Sequence, residues 1–308
     1  MTRAVVFGYH DVGVRCLRVL LAQGIEVPLV VTHVDEPGEQ IWFDSVARHA
    51  RWHGIEVLTP ADPNGAELQA RVRAARPDFL FSFYYRHMLG AELLAAGARG
   101  AYNMHGSLLP KYRGRVPVNW AVLNGERETG ATLHEMTVMP DAGGIVDAQA
   151  VPILPDDTAV EVFRKVSVAA EVTLNRALPG LVAGTAVVRP QRQADASYFG
   201  RRTRSDGAIN WRLGVRAVHN LVRAVAPPYP GAYATAGGMA LRVLRSLPAA
   251  GAGAAQPELR WVDGEVRALC HDGTLRLLEF ELDGGVRDAA AFHARYGDQA
   301  LALGDGQP

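Results

Sequence analysis

The sequence predicts an α/β fold with a mostly parallel sheet, followed by a small β-rich domain. Three observations support this prediction. The 308-residue chain is long enough for two domains, short apolar runs alternate with helical patterns through residue 105, and short strand patterns dominate after residue 203. We therefore expect a Rossmann-like domain over residues 1–203 and a barrel-like domain resembling an OB-fold over residues 204–308.

The elements of the first domain follow from where its apolar runs begin and end. Strands are predicted over residues 4–9, 27–32, 56–58, 79–84 and 101–105. Helices, which end near Gly24, Gly54 or Pro77, are predicted over residues 14–23, 44–53, 66–76 and 91–96. Because strands that alternate with helices pair in parallel, their carboxyl ends should meet at one edge, where ligands bind.

The pattern changes after residue 105. A helix is predicted over residues 118–123, two strands over 131–137 and 145–152, and a long helix over 159–178 that begins after good capping residues. In the second domain, one helix is predicted over residues 215–225 and strands over 231–235, 240–244, 264–269 and 274–280. The low-complexity segment 248–257 is predicted to be a mobile loop.

Composition excludes several classes of protein. Lys plus Arg and Asp plus Glu number 32 each, and a net charge of zero argues against a broad nucleic-acid footprint. The two cysteines, Cys16 and Cys270, fit no zinc spacing, so two free thiols in a reducing compartment are expected. The sequence has neither a signal-peptide pattern nor an apolar run of 18 residues. We therefore predict a cytoplasmic protein without membrane insertion.

Asn103 and His105 are the residues most indicative of chemistry. In an extended strand their side chains point to the same side. An amide donor beside a titratable ring suits a reaction that builds negative charge on a carbonyl oxygen and moves a proton, although an isolated Asn-x-His is more often structural. Asp141 lies in a turn by composition, and near His105 its carboxylate would stabilise the imidazolium.

Other segments carry weaker signals. Residues 8–13 lack the glycine pattern of a dinucleotide site, so NAD is not expected. His49 and His53 have helical i, i+4 spacing but no evident third ligand, so no metal is expected. The basic segments 111–115 and 199–204 suit phosphate or carboxylate, yet a solvated loop and a plain linker explain them as well.

Four segments in order, residues 103–110, 111–115, 129–134 and 141–143, resemble the 10-formyltetrahydrofolate-dependent formyltransferases. This resemblance implies a Rossmann-like domain followed by a small β-rich domain, and Asn103, His105 and Asp141 as the catalytic trio. It also implies 10-formyltetrahydrofolate as co-substrate, with neither metal nor NAD. The residues implied to contact the folate are His87, Met88, Leu89, Arg115, Thr137, Val138, Met139, Pro140 and Asp141. The Met88-Leu89 pair departs mildly from the family, in which an isoleucine is familiar.

Segments 7–11, 81–87, 117–120 and 199–203 narrow the resemblance to members that formylate UDP-4-amino-4-deoxy-L-arabinose, an aminoarabinose donor for lipid A modification and antibiotic resistance. Tyr9, Arg201 and Arg202 are the implied acceptor contacts. The expected partners are therefore a nucleotide sugar and a folate, and not nucleic acid. Bifunctional relatives also carry an NAD-dependent decarboxylating dehydrogenase, which we expect elsewhere or not at all.

Alternative functions remain open at this point. The same trio would serve another nucleotide amino sugar, methionyl-tRNA, a purine precursor or hydrolysis of the donor. From a different class, a folate- or nucleotide-binding module without catalysis is conceivable. An intact trio speaks against that module, because binding alone does not require His105 and Asp141 together.

Overall fold

The computed structural model describes residues 1–36, 38 and 40–306, which form two compact units. The first unit comprises Met1–Pro117, Glu128–Pro152 and Phe163–Gly200. The second comprises Val118–Arg127, Ile153–Val162 and the chain from Arg201 onwards. Two short segments that precede residue 163 thus belong to the second unit. The domain boundary after residue 203 remains our proposal. No helix in the described part of the chain is long and apolar enough to cross a membrane.

Among the elements up to residue 199, strands and helices alternate as far as residue 105, and this alternation is interrupted where one strand directly follows another, at residues 113–114 and 145–152. In chain order they are β1 (Arg3–Gly8), α1 (His10–Ala22), β2 (Glu26–Val31), α2 (Val46–Trp52), β3 (Glu56–Leu58), α3 (Ala66–Ala74), β4 (Phe79–Phe83), α4 (Ala91–Leu94), β5 (Ala101–His105), β6 (Arg113–Gly114), α5 (Pro117–Leu123), β7 (Glu128–Glu135), β8 (Ile145–Pro152), α6 (Ala159–Ala183) and β9 (Tyr198–Phe199). Local signals fix several boundaries. The Ser45 hydroxyl, for example, accepts a hydrogen bond from the Arg48 N–H at the start of α2.

The first unit is built around a seven-stranded sheet in the order β3-β2-β1-β4-β5-β7-β8. The strands from β3 to β5 in that order pair in parallel, whereas β7 pairs with β5, and β8 with β7, in antiparallel fashion. The predicted Rossmann-like, mostly parallel sheet is therefore confirmed. All five residues of β4 are buried, as expected for a central strand with a continuous apolar run.

The second unit contains a closed antiparallel barrel in the order β10-β11-β14-β13-β12-β15. Its elements are α7 (Val215–Val225), β10 (Ala232–Ala236), β11 (Met239–Ala249), β12 (Glu258–Val262), β13 (Glu265–Cys270), β14 (Gly273–Leu282), α8 (Ala289–Tyr296) and β15 (Leu301–Gly304). Alternate barrel residues face a core that includes Trp211 and Phe292. This six-stranded barrel confirms the predicted β-rich second domain. Closing the sheet into a barrel also leaves no exposed strand edge.

The structure corrects several predicted boundaries. The long helix does not end at Leu178 before Pro179 but continues to Ala183. The predicted loop 248–257 is wrong at its start, because Pro248 and Ala249 pair with β14 as the end of β11. The elements β6, β9, β12, α8 and β15 were missed. The strands among them have two to five residues, too few to show a period, and α8 buries only Phe292.

Candidate active site

Strand β5 carries Asn103 and His105 to the border between the parallel and antiparallel parts of the sheet. Asn103 lies opposite His134 of β7, and His105 lies opposite Thr132. Met104, between them, points to the other side and is buried. On its other edge β5 pairs in parallel with β4, so His105 stands at the carboxyl end of the parallel strands, where the sequence places it.

His105 is held from two directions. Its Nε2 donates a hydrogen bond of 2.7 Å to the carbonyl oxygen of Tyr112. Its Nδ1 lies 3.5 Å from Oδ1 of Asp141. Burial lowers the pKa of His105 below its ordinary value, and Asp141 opposes this shift by favouring the charged ring. The ring is thus neutral at neutral pH, with Nδ1 available to accept a proton.

Asp141 meets His105 from a turn in which its own φ is +52°. Its Oδ2 accepts a hydrogen bond of 2.8 Å from the backbone N–H of Gly114. Burial raises the pKa of Asp141, but the positive charge that His105 carries when its ring is protonated, together with His134 and the Gly114 N–H, outweighs burial and holds that pKa well below its usual range. Asp141 is therefore a carboxylate poised to stabilise positive charge on the neighbouring imidazole.

His134 is a member of the site that the sequence analysis did not assign. Its Nδ1 donates to the carbonyl oxygen of Glu135 at 2.7 Å, so its Nε2 accepts from the Asn103 amide at 3.1 Å. The same Nε2 lies 3.5 Å from Oδ1 of Asp141. His134 therefore orients the Asn103 amide, which keeps its second N–H for a ligand. A prediction that β7 pairs with β5 in antiparallel fashion would have placed His134 opposite Asn103.

A two-residue ladder completes the site. Strand β6 pairs in parallel with β9, so that Arg113 lies beside Tyr198 and Gly114 beside Phe199. Gly114 has a φ of +96°, and a Cβ at this position would overlap the carbonyl oxygen of Phe199. The ladder thus fixes the backbone between Tyr112, which contacts His105, and Gly114, which contacts Asp141.

The residues predicted to bind folate lie on loops of the first unit. Residues 87–89 follow β4, Arg115 follows β6, and residues 137–141 follow β7. Leu89 is buried, whereas the side chains of Met88, Val138 and Met139 are exposed. The Thr137 hydroxyl donates to the Met139 carbonyl oxygen at 2.9 Å and so shapes the last of these loops. Exposed apolar side chains on these loops suit a flat aromatic ligand, and the assignment stays a prediction.

The predicted acceptor contacts have partners of their own. The Tyr9 hydroxyl donates to Oδ1 of Asp35 at 2.6 Å, and the guanidinium of Arg86 lies 4.5 Å above the Tyr9 ring. In the second unit, Arg202 lies 4.9 Å from the Trp120 ring centre and donates to the backbone oxygen of Asp206.

Arg201 is exposed and Arg202 is partly buried, which makes Arg201 the better candidate for a ligand contact. In the described residues no group of three or more His, Cys, Asp or Glu side chains is arranged to hold a metal ion.

An aromatic cluster follows β1. The ring of His10 stacks on Phe43 at 3.8 Å between centroids and meets Trp42 and Phe163 edge-on. Burial, with a smaller contribution from Arg86, lowers the pKa of His10 to about 3. His10 is therefore neutral at physiological pH, a property that its sequence context did not reveal.

Comparison with known proteins agrees with this architecture. A crystal structure of the N-formyltransferase from Helicobacter canadensis, in complex with folinic acid and dTDP-3-aminofucose, is similar at a TM-score of 0.68 and 21% identity, covering 90% of this chain and 99% of that one. WlaRD, a sugar 3N-formyltransferase crystallised with dTDP and 5-N-formyl-tetrahydrofolate, is similar at a TM-score of 0.68 and 19% identity. The alignment covers 93% of this chain and 99% of WlaRD. Glycinamide ribonucleotide transformylase 1 from Symbiobacterium toebii is similar at a TM-score of 0.54 and 22% identity. The alignment covers 62% of this chain and 95% of the transformylase.

Two family models match the sequence itself. The formyl transferase model matches residues 18–178, and the model of the formyl transferase C-terminal domain matches residues 202–295. The first match alone spans more than half of the 308 residues. The chain therefore belongs to the formyl transferase family, and it is a formyltransferase.

Proposed function

We propose that this enzyme transfers the formyl group of 10-formyltetrahydrofolate to the 4-amino group of a UDP-amino sugar, and specifically to UDP-4-amino-4-deoxy-L-arabinose. The observation that carries the proposal is the convergence of Asn103, His105 and Asp141 at the carboxyl edge of the sheet. In this assignment the enzyme corresponds to the formyltransferase part of the bifunctional polymyxin-resistance protein, which acts in lipid A modification.

Asn103 is the oxyanion donor in the proposed mechanism. Attack of an amine on a formyl carbon builds negative charge on the formyl oxygen, which a preorganised N–H stabilises. One N–H of the Asn103 amide donates to Nε2 of His134 at 3.1 Å. This hydrogen bond fixes the orientation of the amide and therefore the direction of its second N–H. No metal is needed for this step, because the hydrogen bond serves the developing charge.

His105 is the proton acceptor. The Tyr112 carbonyl oxygen takes the Nε2 proton, so the neutral ring presents an unprotonated Nδ1. When Nδ1 takes the proton that leaves the attacking amine, the resulting imidazolium lies 3.5 Å from the carboxylate of Asp141. As the bond between the formyl carbon and folate N10 breaks and the formyl carbonyl re-forms, His105 returns this proton to N10. Asp141 therefore stabilises the charged ring that the reaction forms, and the amine itself must be neutral to attack.

The comparisons support a nucleotide amino sugar as the acceptor class. The Helicobacter canadensis enzyme was crystallised with dTDP-3-aminofucose, and the alignment with it extends over 90% of this chain. The glycinamide ribonucleotide transformylase aligns with only 62% of it. The sequence contexts 84–86 and 199–203 favour the aminoarabinose acceptor over other amino sugars. We assign the folate to His87–Leu89, Arg115 and residues 137–141, and the acceptor to Tyr9, Arg201 and Arg202.

A panel of acceptors tests the proposal. The purified chain is incubated with 10-formyltetrahydrofolate and one acceptor at a time: UDP-4-amino-4-deoxy-L-arabinose, dTDP-3-aminofucose, glycinamide ribonucleotide and methionyl-tRNA. Release of tetrahydrofolate is followed by absorbance and the formylated product by mass spectrometry.

We expect the highest kcat/KM with the UDP sugar. A preference for dTDP-3-aminofucose would keep the acceptor class and reject the specific sugar, whereas a preference for methionyl-tRNA or glycinamide ribonucleotide would overturn the proposal. Tetrahydrofolate release without any formylated product would indicate hydrolysis of the donor.

A further inference from the structure

Arg113 is a fully buried arginine whose hydrogen bonds, within the described part of the chain, reach only neutral groups. Its Nε and Nη2 donate to Oε1 of Gln191 at 3.1 and 2.7 Å. Its Nη1 donates to Oε1 of Gln193 at 3.1 Å and to the Tyr198 hydroxyl at 2.9 Å. Burying a guanidinium is costly unless its donors are satisfied, so this arrangement demands an explanation.

The partners of Arg113 lead to the turn that carries Asp141. The Gln191 amide nitrogen donates to the backbone oxygens of Asp141 at 2.8 Å and of Gly143 at 2.7 Å. Two carbonyls on one side and an arginine on the other leave a single orientation for this amide. The Tyr198 hydroxyl also lies 3.4 Å from the Pro140 oxygen. Arg113 thus orders two side chains that both donate to the turn.

We propose that Arg113 and Gln191 form a clamp that positions the Asp141 carboxylate against His105 during formyl transfer. This Arg113–Gln191 clamp rests on the role proposed above for Asp141. The two residues are positioning residues, because they contact the turn and the adjoining backbone rather than the reacting atoms.

The backbone around Arg113 explains why the clamp would set the geometry of the site. Its neighbours Tyr112 and Gly114 contact His105 and Asp141 respectively, so one buried side chain anchors both halves of the pair. Asp141 itself has a φ of +52°, a left-handed conformation that is uncommon for residues with a side chain and that its surroundings help to enforce. Gln191 supplies that enforcement by holding the carbonyl of the same residue.

Gln191→Glu separates positioning from stability. A glutamate at this position keeps an acceptor for Arg113, and adds opposite charge, but it loses both N–H bonds to the turn. We expect a melting temperature at or above that of the wild type and a kcat lowered roughly 10–100-fold, as for a misplaced catalytic group. Activity is measured with 10-formyltetrahydrofolate and UDP-4-amino-4-deoxy-L-arabinose.

Gln193→Glu is the matched control. It makes the same change of charge beside the same guanidinium, but Gln193 makes no hydrogen bond to the turn in the described structure. Its kcat should stay within about threefold of the wild type. Equal losses in the two variants would mean that the charge of Arg113, and not the hold on the turn, matters.

A double-mutant cycle tests whether Gln191 acts through Asp141. In an Asp141→Asn background, Gln191→Glu should change kcat by less than about threefold, because the group that it positions has already lost its charge. A full additional loss would assign Gln191 a separate role. An Asp141→Asn variant with wild-type kcat would reject the proposed role of Asp141, whereas an impaired Asp141→Asn with an unimpaired Gln191→Glu would reject the clamp alone.

A titration by NMR gives a readout that needs no acceptor. Gln191→Met removes the clamp without adding charge, so Asp141 should move away from His105. The pKa of His105 should then fall, as in Asp141→Asn. Burial, His134 and Arg113 lower this pKa, and Asp141 is the larger of the two contributions that raise it, the other being the hydrogen bond to Tyr112. An unchanged His105 titration in Gln191→Met would overturn the clamp.

Discussion

At the scale of single residues, one backbone carbonyl decides which nitrogen of His105 carries a proton. Because Tyr112 accepts from Nε2, the other nitrogen faces Asp141, and in the proposed mechanism this nitrogen takes the proton. The same logic applies to Asn103, whose amide is oriented by His134. These assignments lead to three predictions on individual side chains.

The first prediction concerns Asn103 and His105. Asn103→Ala should lower kcat by roughly 10²–10³-fold, as for the loss of an oxyanion donor. His105→Ala should lower it by roughly 10²–10⁴-fold, as for the loss of an acid or base. Steady-state kinetics and circular dichroism would check activity and folding, with His49→Ala, which lies on α2, as control. A kcat within a few-fold of the wild type in either variant would exclude that residue from the chemistry.

The second prediction concerns the charge of Asp141. Asp141→Asn keeps the shape of the side chain but removes the carboxylate that raises the pKa of His105. We expect the His105 ring to titrate at lower pH in this variant, measured by NMR on labelled histidine. A raised or unchanged pKa would leave Asp141 as a turn residue only.

The third prediction concerns the acceptor. If Arg201 pairs with a phosphate of the nucleotide, Arg201→Ala should remove a charge-assisted hydrogen bond of about 1.5–3 kcal/mol. Acceptor KM should then rise roughly 10–200-fold, while donor KM stays near the wild-type value. Arg204→Ala, at a nearby exposed arginine, is the control. A change confined to donor KM would contradict the assignment.

The residue scale also shows what the sequence could and could not reveal. The placement of Asn103 and His105 on one side of β5 was predictable from strand alternation, and the family resemblance pointed to Asp141. The catalytic roles of the three residues stay a proposal. His134 was not predictable, because its role arises only from pairing between β5 and β7. Arg113 looked like part of a basic loop, yet it is fully buried by partners about 80 residues away in sequence, which no local pattern encodes.

At the scale of elements, the two-residue strand β6 links the backbone groups that contact His105 and Asp141. Gly114→Ala should lower both stability and activity, because the left-handed backbone costs about 1–2 kcal/mol for a residue with a Cβ, and that Cβ would overlap the Phe199 carbonyl. Thermal unfolding and kcat would be compared with Gly200→Ala, where an added Cβ meets no other heavy atom within 4 Å. Equal behaviour of the two variants would mean that β6 does not constrain the site.

Element lengths explain which predictions succeeded. The buried strand β4 was predictable from its continuous apolar run, and the helix α7 from the helical period of its apolar residues. The strands β6 and β9 have two residues each, so neither period can be seen. Pro179 misled the prediction of α6, since a proline removes only one N–H and the helix continues past it.

At the scale of the whole molecule, buried histidines should make the fold sensitive to acid. The pKa of His10 is about 3 in the folded chain, whereas a solvent-exposed histidine in the unfolded chain has a pKa of about 6.5. Between these two pH values only the unfolded chain binds the proton. The contribution of His10 to stability is therefore fully present above pH 6.5. Its loss should reduce the free energy of unfolding by up to ~1.4 kcal/mol per pH unit as the pH drops from 6.5 towards 3. Burial lowers the pKa of His105 and His219 in the same direction.

His10→Asn tests this prediction, since asparagine tolerates the positive φ at this position. Urea unfolding between pH 7 and pH 4 should show a shallower loss of stability in this variant. His53→Asn, at an exposed histidine, should keep the wild-type slope. A wild-type slope in His10→Asn would show that His10 is protonated in the folded chain.

The whole-molecule architecture was predictable in outline. The alternation of strands and helices predicted the parallel sheet, and the short strands after residue 203 predicted the barrel. What sequence reasoning could not give is that residues 118–127 and 153–162 belong to the second unit. Their membership depends on tertiary contacts over long sequence separations, which leave no periodic signal.

The antiparallel junction between β5 and β7 has a consequence for how such a chain tolerates changes in length. A one-residue insertion inside β7 would turn its side chains to the opposite face, replacing His134 opposite Asn103 by an apolar or acidic neighbour. The segments that precede β7 and follow β8 have no such register to keep. Natural variation in length should therefore accumulate in residues 124–127 and 153–158, while the strands between them keep their number of residues.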